Sequence, residues 1–143
     1  MDLDRVMTRN PKFCLATSPL DEVARAMRDE DVGEIPVVDL DRHPIGVITD
    51  RDIAVRAVAE GNDLSNATAG DYMTKPVTTV PDTCNLDDVA KVMEQAQIRR
   101  VVVVDGKGCV AGIVAQADIA LAGRDGKTAE IVKQVSEPGR SSQ

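Results

Sequence analysis

Apolar positions along the chain follow two periods, and the switches between them mark the predicted elements. Leu20, Val23, Ala24 and Met27 recur at helical spacing and make one apolar stripe. Leu86, Val89, Ala90 and Met93 repeat that stripe later in the chain. In SPLDEV, Ser18 is placed to cap the first helix and Pro19 to fill its first position. Next come EIPVVD (34–39) and RVVVVD (100–105), β-branched runs with no polar alternation, which predict strands buried on both sides. Polar turns, DLDRHP and DGKG, lead into second strands, PIGVIT and CVAGIVA. A last helix is predicted from near Asp50 and again from near Gln116, and a short extended segment precedes each series, near Lys12–Thr17 and Val77–Val80.

The pattern is therefore doubled. Placing Met7 on Met73 carries Met7–Ala54 onto Met73–Ala120 without a gap, and roughly a third of the aligned residues are identical. The expected organisation is repeat 1 over 1–61, a polar linker over 62–70, repeat 2 over 71–123, and a C-terminal helix and frayed tail over 124–143. In that last segment Thr128–Val135 is the helix candidate and SEPGRSSQ the tail. One repeat alone would leave its strand faces wet, so the predicted fold is a mixed α/β architecture with two repeats packed about a pseudo-twofold axis.

Composition narrows the function classes. With 43% apolar residues but one Phe, one Tyr and no Trp, the core must be aliphatic. A formal charge of −7 opposes a duplex nucleic-acid partner, which needs a broad basic face. No apolar run reaches transmembrane length, and MDLDRVMTRN lacks a secretory plan, so no membrane association and a cytoplasmic location are expected. Cys14, Cys84 and Cys109 have no CxxC spacing and read as reduced thiols. The single histidine, His43, sits in a polar turn, so neither a metal site nor a serine triad is expected. Gly106 and Gly108 belong to a hairpin turn rather than a phosphate loop. No nucleophile–base pair emerges, and no catalytic residue is assigned: the chain does not read as an enzyme.

Two related motifs remain, GVITDRD (46–52) and GIVAQAD (112–118). In the first, Thr49 and Asp52 fit two readings that spacing alone leaves open. T-x-x-D is a capping-box pattern. It is also a hydroxyl and a carboxylate at a helix start, a place where polar ligand contact is possible. The second motif keeps Asp118 but has Ala115 in place of the threonine.

The tandem unit, the VMT and YMT openings, the PVVD and VVVD strands and GVITDRDI agree in order and spacing with the cystathionine-β-synthase (CBS) domain pair, or Bateman module, which this chain resembles from residue 6 to about 122. The resemblance is to small stand-alone CBS-pair proteins of bacteria and archaea. It implies two β-α-β-β-α repeats and a regulatory module that binds an adenosine nucleotide (AMP-, ADP- or ATP-like) in clefts between them. It implies no required cofactor, with the nucleotide, AMP or ATP, as a regulatory ligand. For the main cleft the resemblance implies Thr49 and Asp52 at the ribose, Val32, Val47, Thr79, Val80 and Ile98 around the base, and Arg99 and Arg100 at the phosphates. The second cleft would involve Phe13, Cys14, Gly33, Ile113 and Asp118, and is expected to be degraded because it lacks the threonine and faces Glu34. A homodimer and an unidentified protein partner are implied as well. The competing reading is a ligand-independent, stress-related dimeric interaction protein in which the motif is only a cap.

Overall fold

A computed structural model describes residues 3–123, so the helix expected over Thr128–Val135 and the tail beyond it lie outside the described residues. A 3-10 turn, Leu3–Arg5, opens the chain and is followed by strands β1 (Thr8–Arg9) and β2 (Cys14–Leu15) and helix α1 (Leu20–Glu30). Strands β3 (Glu34–Val38) and β4 (Pro44–Thr49) lead to a π-helix, Asp52–Val58, and a short helix α2 (Ala69–Tyr72). The second series is β5 (Thr79–Pro81), α3 (Leu86–Ala96), β6 (Arg100–Val104), β7 (Val110–Ala115) and α4 (Gln116–Gly123). The mixed α and β architecture expected from the sequence is the one the chain adopts.

These elements form two compact units. The first comprises residues 11–77 with 108–110, and the second 3–10, 78–107 and 111–123. In the first unit β3 lies between β2, which is parallel to it, and β4, which is antiparallel. Leu20, Val23 and Met27 of α1 pack into one core with Ile35, Val37 and Ile48. Burying each such side chain contributes about 1.5–3 kcal/mol. Ala24 lies exposed, whereas its counterpart Ala90 is fully buried.

The cap of α1 differs from the sequence expectation. Ser18 lies one residue ahead of the cap position, and its hydroxyl accepts the Leu15 N–H at 3.0 Å, closing the preceding turn. The helix is entered through Pro19, whose carbonyl accepts the N–H groups of Glu22 and Val23, each at 3.1 Å. Helix α3 is capped from its side chain instead: Asn85 accepts the Asp88 N–H at 2.9 Å. Both helices stop on a left-handed residue, Asp31 (φ 55°) and Gln97 (φ 55°), whose N–H turns back to the last carbonyls.

The second unit has the strand order β1-β7-β6-β5. Its core joins Leu86, Val89 and Met93 of α3 to Val101, Val103 and Val114 of the strands. β1 enters this sheet from the very start of the chain, pairing Thr8 with Ile113 and Arg9 with Gly112. The matching segment of the other repeat does the reverse. Thr74 bridges Val47 of β4, donating its N–H at 2.7 Å and accepting Val47's at 3.1 Å. Each repeat's M-T opening thus straps the strand of the other repeat's motif.

That crossing explains the repeated glycine. A Cβ on Gly46 would stand 2.9 Å from the Thr74 carbonyl oxygen, and one on Gly112 would stand 2.9 Å from that of Thr8. Glycine is required because another backbone passes there.

Candidate functional site

β4 ends at Thr49 and the chain turns at once into the π-helix. The turn is a reciprocal capping box: the Thr49 N–H donates to Asp52 Oδ2 at 3.0 Å, and the Asp52 N–H donates to Thr49 Oγ1 at 2.9 Å. The helix that follows closes with an i→i+5 bond, Ala59 N–H to the Ala54 carbonyl at 2.9 Å.

Asp52 is 9% exposed, yet its two oxygens are unequally served. Oδ2 holds the 3.0 Å amide bond. Among the described residues, Oδ1 receives only the Thr74 hydroxyl at 3.3 Å, shared at the same distance with Oδ2, and the Arg56 guanidinium at 3.8 Å. Arg56 also donates to the Tyr72 carbonyl at 2.9 Å. A carboxylate has about four lone-pair sites, so Oδ1 keeps acceptor capacity. Thr49 Oγ1 uses a lone pair on the Asp52 amide and retains its proton as a donor. Side by side, the two residues offer an acceptor and a donor at a helix N-terminus.

The second motif is poorer. The Ala115 N–H donates to Asp118 Oδ2 at 3.0 Å, but Ala115 has no hydroxyl to return the bond. The residue matching Arg56 is Ala122.

The remaining sequence candidates divide between the units. Val47 lies on β4 with Thr49, opposite Pro36. Val32 is 40% exposed in the turn after α1. The Gly33 carbonyl accepts the Asp50 N–H at 2.9 Å, and the Arg99 carbonyl accepts the Gln116 N–H at 2.7 Å in the matching place. A Cβ on Gly33 would stand 3.1 Å from Asp50 Oδ2.

In the second unit Thr79 and Val80 pair with Val102 and Val103; Thr79 is exposed, while Val80 is buried in the core. Ile98 packs partly against that core, Arg99 is exposed and Arg100 begins β6 half-buried. Ile113 faces Thr8 across β1–β7, and Asp118 is half-buried in the first turn of α4.

Phe13 and Cys14 line a pocket of about 310 Å³ in the first unit, together with Lys12, Glu22, Arg25 and Ile35. The Arg42 guanidinium lies 5.0 Å from the Phe13 ring centroid. Burial, and then the charge of Glu22, push the Cys14 thiol up to about 11. Near the β3–β4 turn, Asp39, Asp41 and His43 bring donor atoms within 4.8 Å of one another. Asp39 Oδ1 accepts the N–H groups of Asp41 and His43 there, which closes the turn.

Thus Val47, Thr49 and Asp52 come together in one unit, and Thr79, Val80, Ile98, Arg99 and Arg100 in the other. Sequence reasoning missed two groups beside the carboxylate, Thr74 and Arg56. For Arg56 a signal existed: it stands four residues after Asp52 and becomes Ala122 in the weaker copy. For Thr74 the signal was the repeated M-T pair, whose partner in space no local pattern reveals.

The CBS domain family model matches this chain twice, over residues 3–58 and 69–125. Hypoxic response protein 1 of Mycobacterium tuberculosis is 34% identical over 119 residues, covering 83% of this chain and 82% of that protein. Among solved structures, the CBS domain pair of protein MJ0100 in complex with 5′-methylthioadenosine and S-adenosyl-L-methionine superposes with a TM-score of 0.77 at 28% identity, covering 89% of this chain and 98% of that one. The CBS domain protein from Pyrobaculum aerophilum complexed with AMP gives a TM-score of 0.72 at 30% identity, covering 83% and 90%. With the doubled motif, the two-unit fold and both family matches in agreement, the chain belongs to the CBS domain family and carries that domain twice.

Proposed function

We propose that the chain is a regulatory module that senses an adenosine nucleotide, AMP- or ATP-like, through Thr49 and Asp52 of the first motif. The observation that carries this reading is the buried Asp52 carboxylate, whose Oδ1 has no partner closer than 3.3 Å among the described residues. Buried carboxylate oxygens are normally well satisfied, and a ribose hydroxyl supplies the missing short bond. Relatives of the same fold with AMP or adenosine derivatives bound support the ligand class.

In this reading Val32, Val47, Thr79, Val80 and Ile98 surround the base, and Arg99 and Arg100 hold the phosphates, each arginine contributing about 1.5–3 kcal/mol. The second motif, with Asp118 but no threonine, is degraded. Val55 and Val58, 47% and 57% exposed on the π-helix, are apolar surface that a homodimer would cover.

Calorimetry with adenosine, AMP and ATP tests the reading on the intact chain and on Asp52→Ala and Arg99→Ala/Arg100→Ala variants. Binding of AMP or ATP that Asp52→Ala abolishes is expected, with the double arginine change removing phosphate dependence while adenosine binding persists. Folded protein that shows no heat at millimolar AMP or ATP would sink it.

A second reading rests on the completed capping box: Thr49 and Asp52 serve only the helix start in a ligand-independent interaction protein. Asp52→Ala would then lower stability while no nucleotide shifts the melting temperature.

A further inference from the structure

We propose that Thr74 and Arg56 clamp the Asp52 carboxylate in the orientation that reads a vicinal diol, so that the choice between ribose and deoxyribose is made by the strap as much as by the motif. The inference rests on the proposed nucleotide reading and names two positioning residues that lie outside GVITDRD.

An aspartate carboxyl turns about a broad, soft torsion, so a position in sequence does not by itself aim its two oxygens. Here three groups aim them. The Thr49 amide holds Oδ2 at 3.0 Å, the Thr74 hydroxyl straddles both oxygens at 3.3 Å, and Arg56 stands 3.8 Å from Oδ1.

Thr74 is itself tightly placed. Its backbone exchanges two bonds with Val47, at 2.7 and 3.1 Å, over a glycine that leaves no room for a Cβ. Arg56 ties the same strap from the other side through the Tyr72 carbonyl at 2.9 Å. The contacts of Thr74 and Arg56 with Oδ1 are long, so they orient the oxygen without saturating it. A vicinal diol presents two hydroxyls at fixed separation, and a carboxylate already turned to meet both loses less freedom on binding. The second motif provides the contrast, with Ala122 where the first has Arg56 and Ala115 where it has Thr49.

The test is calorimetry of the full chain with AMP and with 2′-deoxy-AMP, on wild type, Thr74→Val, Thr74→Ser and Arg56→Gln, each checked for folding by its melting curve. Wild type is expected to prefer AMP by about tenfold or more. Thr74→Val should lower that preference to about twofold, Thr74→Ser should restore it, and Arg56→Gln should lower it in part. A structural role for Thr74 would weaken both ligands in parallel and leave the ratio unchanged; that outcome overturns the clamp alone. A wild-type ratio near one overturns it too. If wild type binds neither ligand, the nucleotide reading falls and the clamp with it. Should Thr74→Val not fold, Thr74→Ser and Arg56→Gln decide: a serine variant with wild-type preference beside a glutamine variant with a lowered one supports the clamp. Equal ratios in both overturn it.

Discussion

At the scale of single residues, burial sets how each polar group behaves. Asp52 keeps its carboxylate inside the fold because amide, hydroxyl and guanidinium groups surround it. Among the described residues Cys14 lacks such partners. Its thiol is half-buried beside Glu22, and both features favour the neutral form, pushing it from 9.0 to about 11. A thiol whose pKa is raised by folding contributes stability below its unfolded value and loses that contribution as pH rises through the folded one. Melting curves should therefore fall between about pH 9 and 11, and Cys14→Ala should flatten that fall. Parallel curves for wild type and variant across this range would contradict the assignment. Cys84 is raised in the same direction, by burial and then Asp88, and adds to the residual slope.

At the scale of elements, the two copies diverge where their sequences look most alike. After the first motif the chain forms a π-helix, Asp52–Val58, and after the second an α-helix, Gln116–Gly123. In the π-helix the two buried positions are Asp52 and Ala57, five residues apart, the interval that its i→i+5 bonding brings onto one side. The apolar pattern predicted a helix at both places but carried no sign of the wider turn.

The straps pose a sharper element-level question. Gly46→Ala would push a methyl against the Thr74 carbonyl and the Met73 sulfur, each at 2.9 Å. A cost of about 1–3 kcal/mol in urea unfolding is expected. Gly106→Ala, with nothing within 4 Å of the added carbon, should stay within about 0.5 kcal/mol of wild type. Equal midpoints for the two variants would refute the strap as a packing constraint. In the other repeat, Asn85→Ala should cost about 1 kcal/mol because it removes the side-chain cap of α3.

At the scale of the whole molecule, the two compact units are not simply the first and second halves of the chain. Residues 3–10 join the later repeat's unit, and residues 11–77 complete the earlier one. Truncating the first ten residues should therefore destabilise the second unit by removing β1, Leu3 and Val6 from it. Among the described residues no helix is long and apolar enough to cross a membrane. Exposed Val55 and Val58 leave apolar surface on the π-helix, and exposed Leu121 leaves some on α4. We expect light scattering to give twice the 15.3 kDa chain mass, and a monomer at micromolar concentration would remove the homodimer from the proposed function.

Much of this was written locally. The doubled stripe Leu20/Val23/Met27 and Leu86/Val89/Met93, the β-branched strands and the T-x-x-D turn all follow from periodicity and short-range chemistry, so the sequence by itself determined the elements, their order, the repeat and the capping-box pair Thr49 and Asp52. Tertiary structure decided the rest. Whether Ser18 caps α1 or closes the turn before it depended on where Leu15 lay. That Thr74 meets Asp52 depended on a strap crossing β4 over Gly46. The Thr74–Asp52 contact joins groups 22 residues apart, and a pattern of polar and apolar positions has a period but no record of which strands will lie side by side.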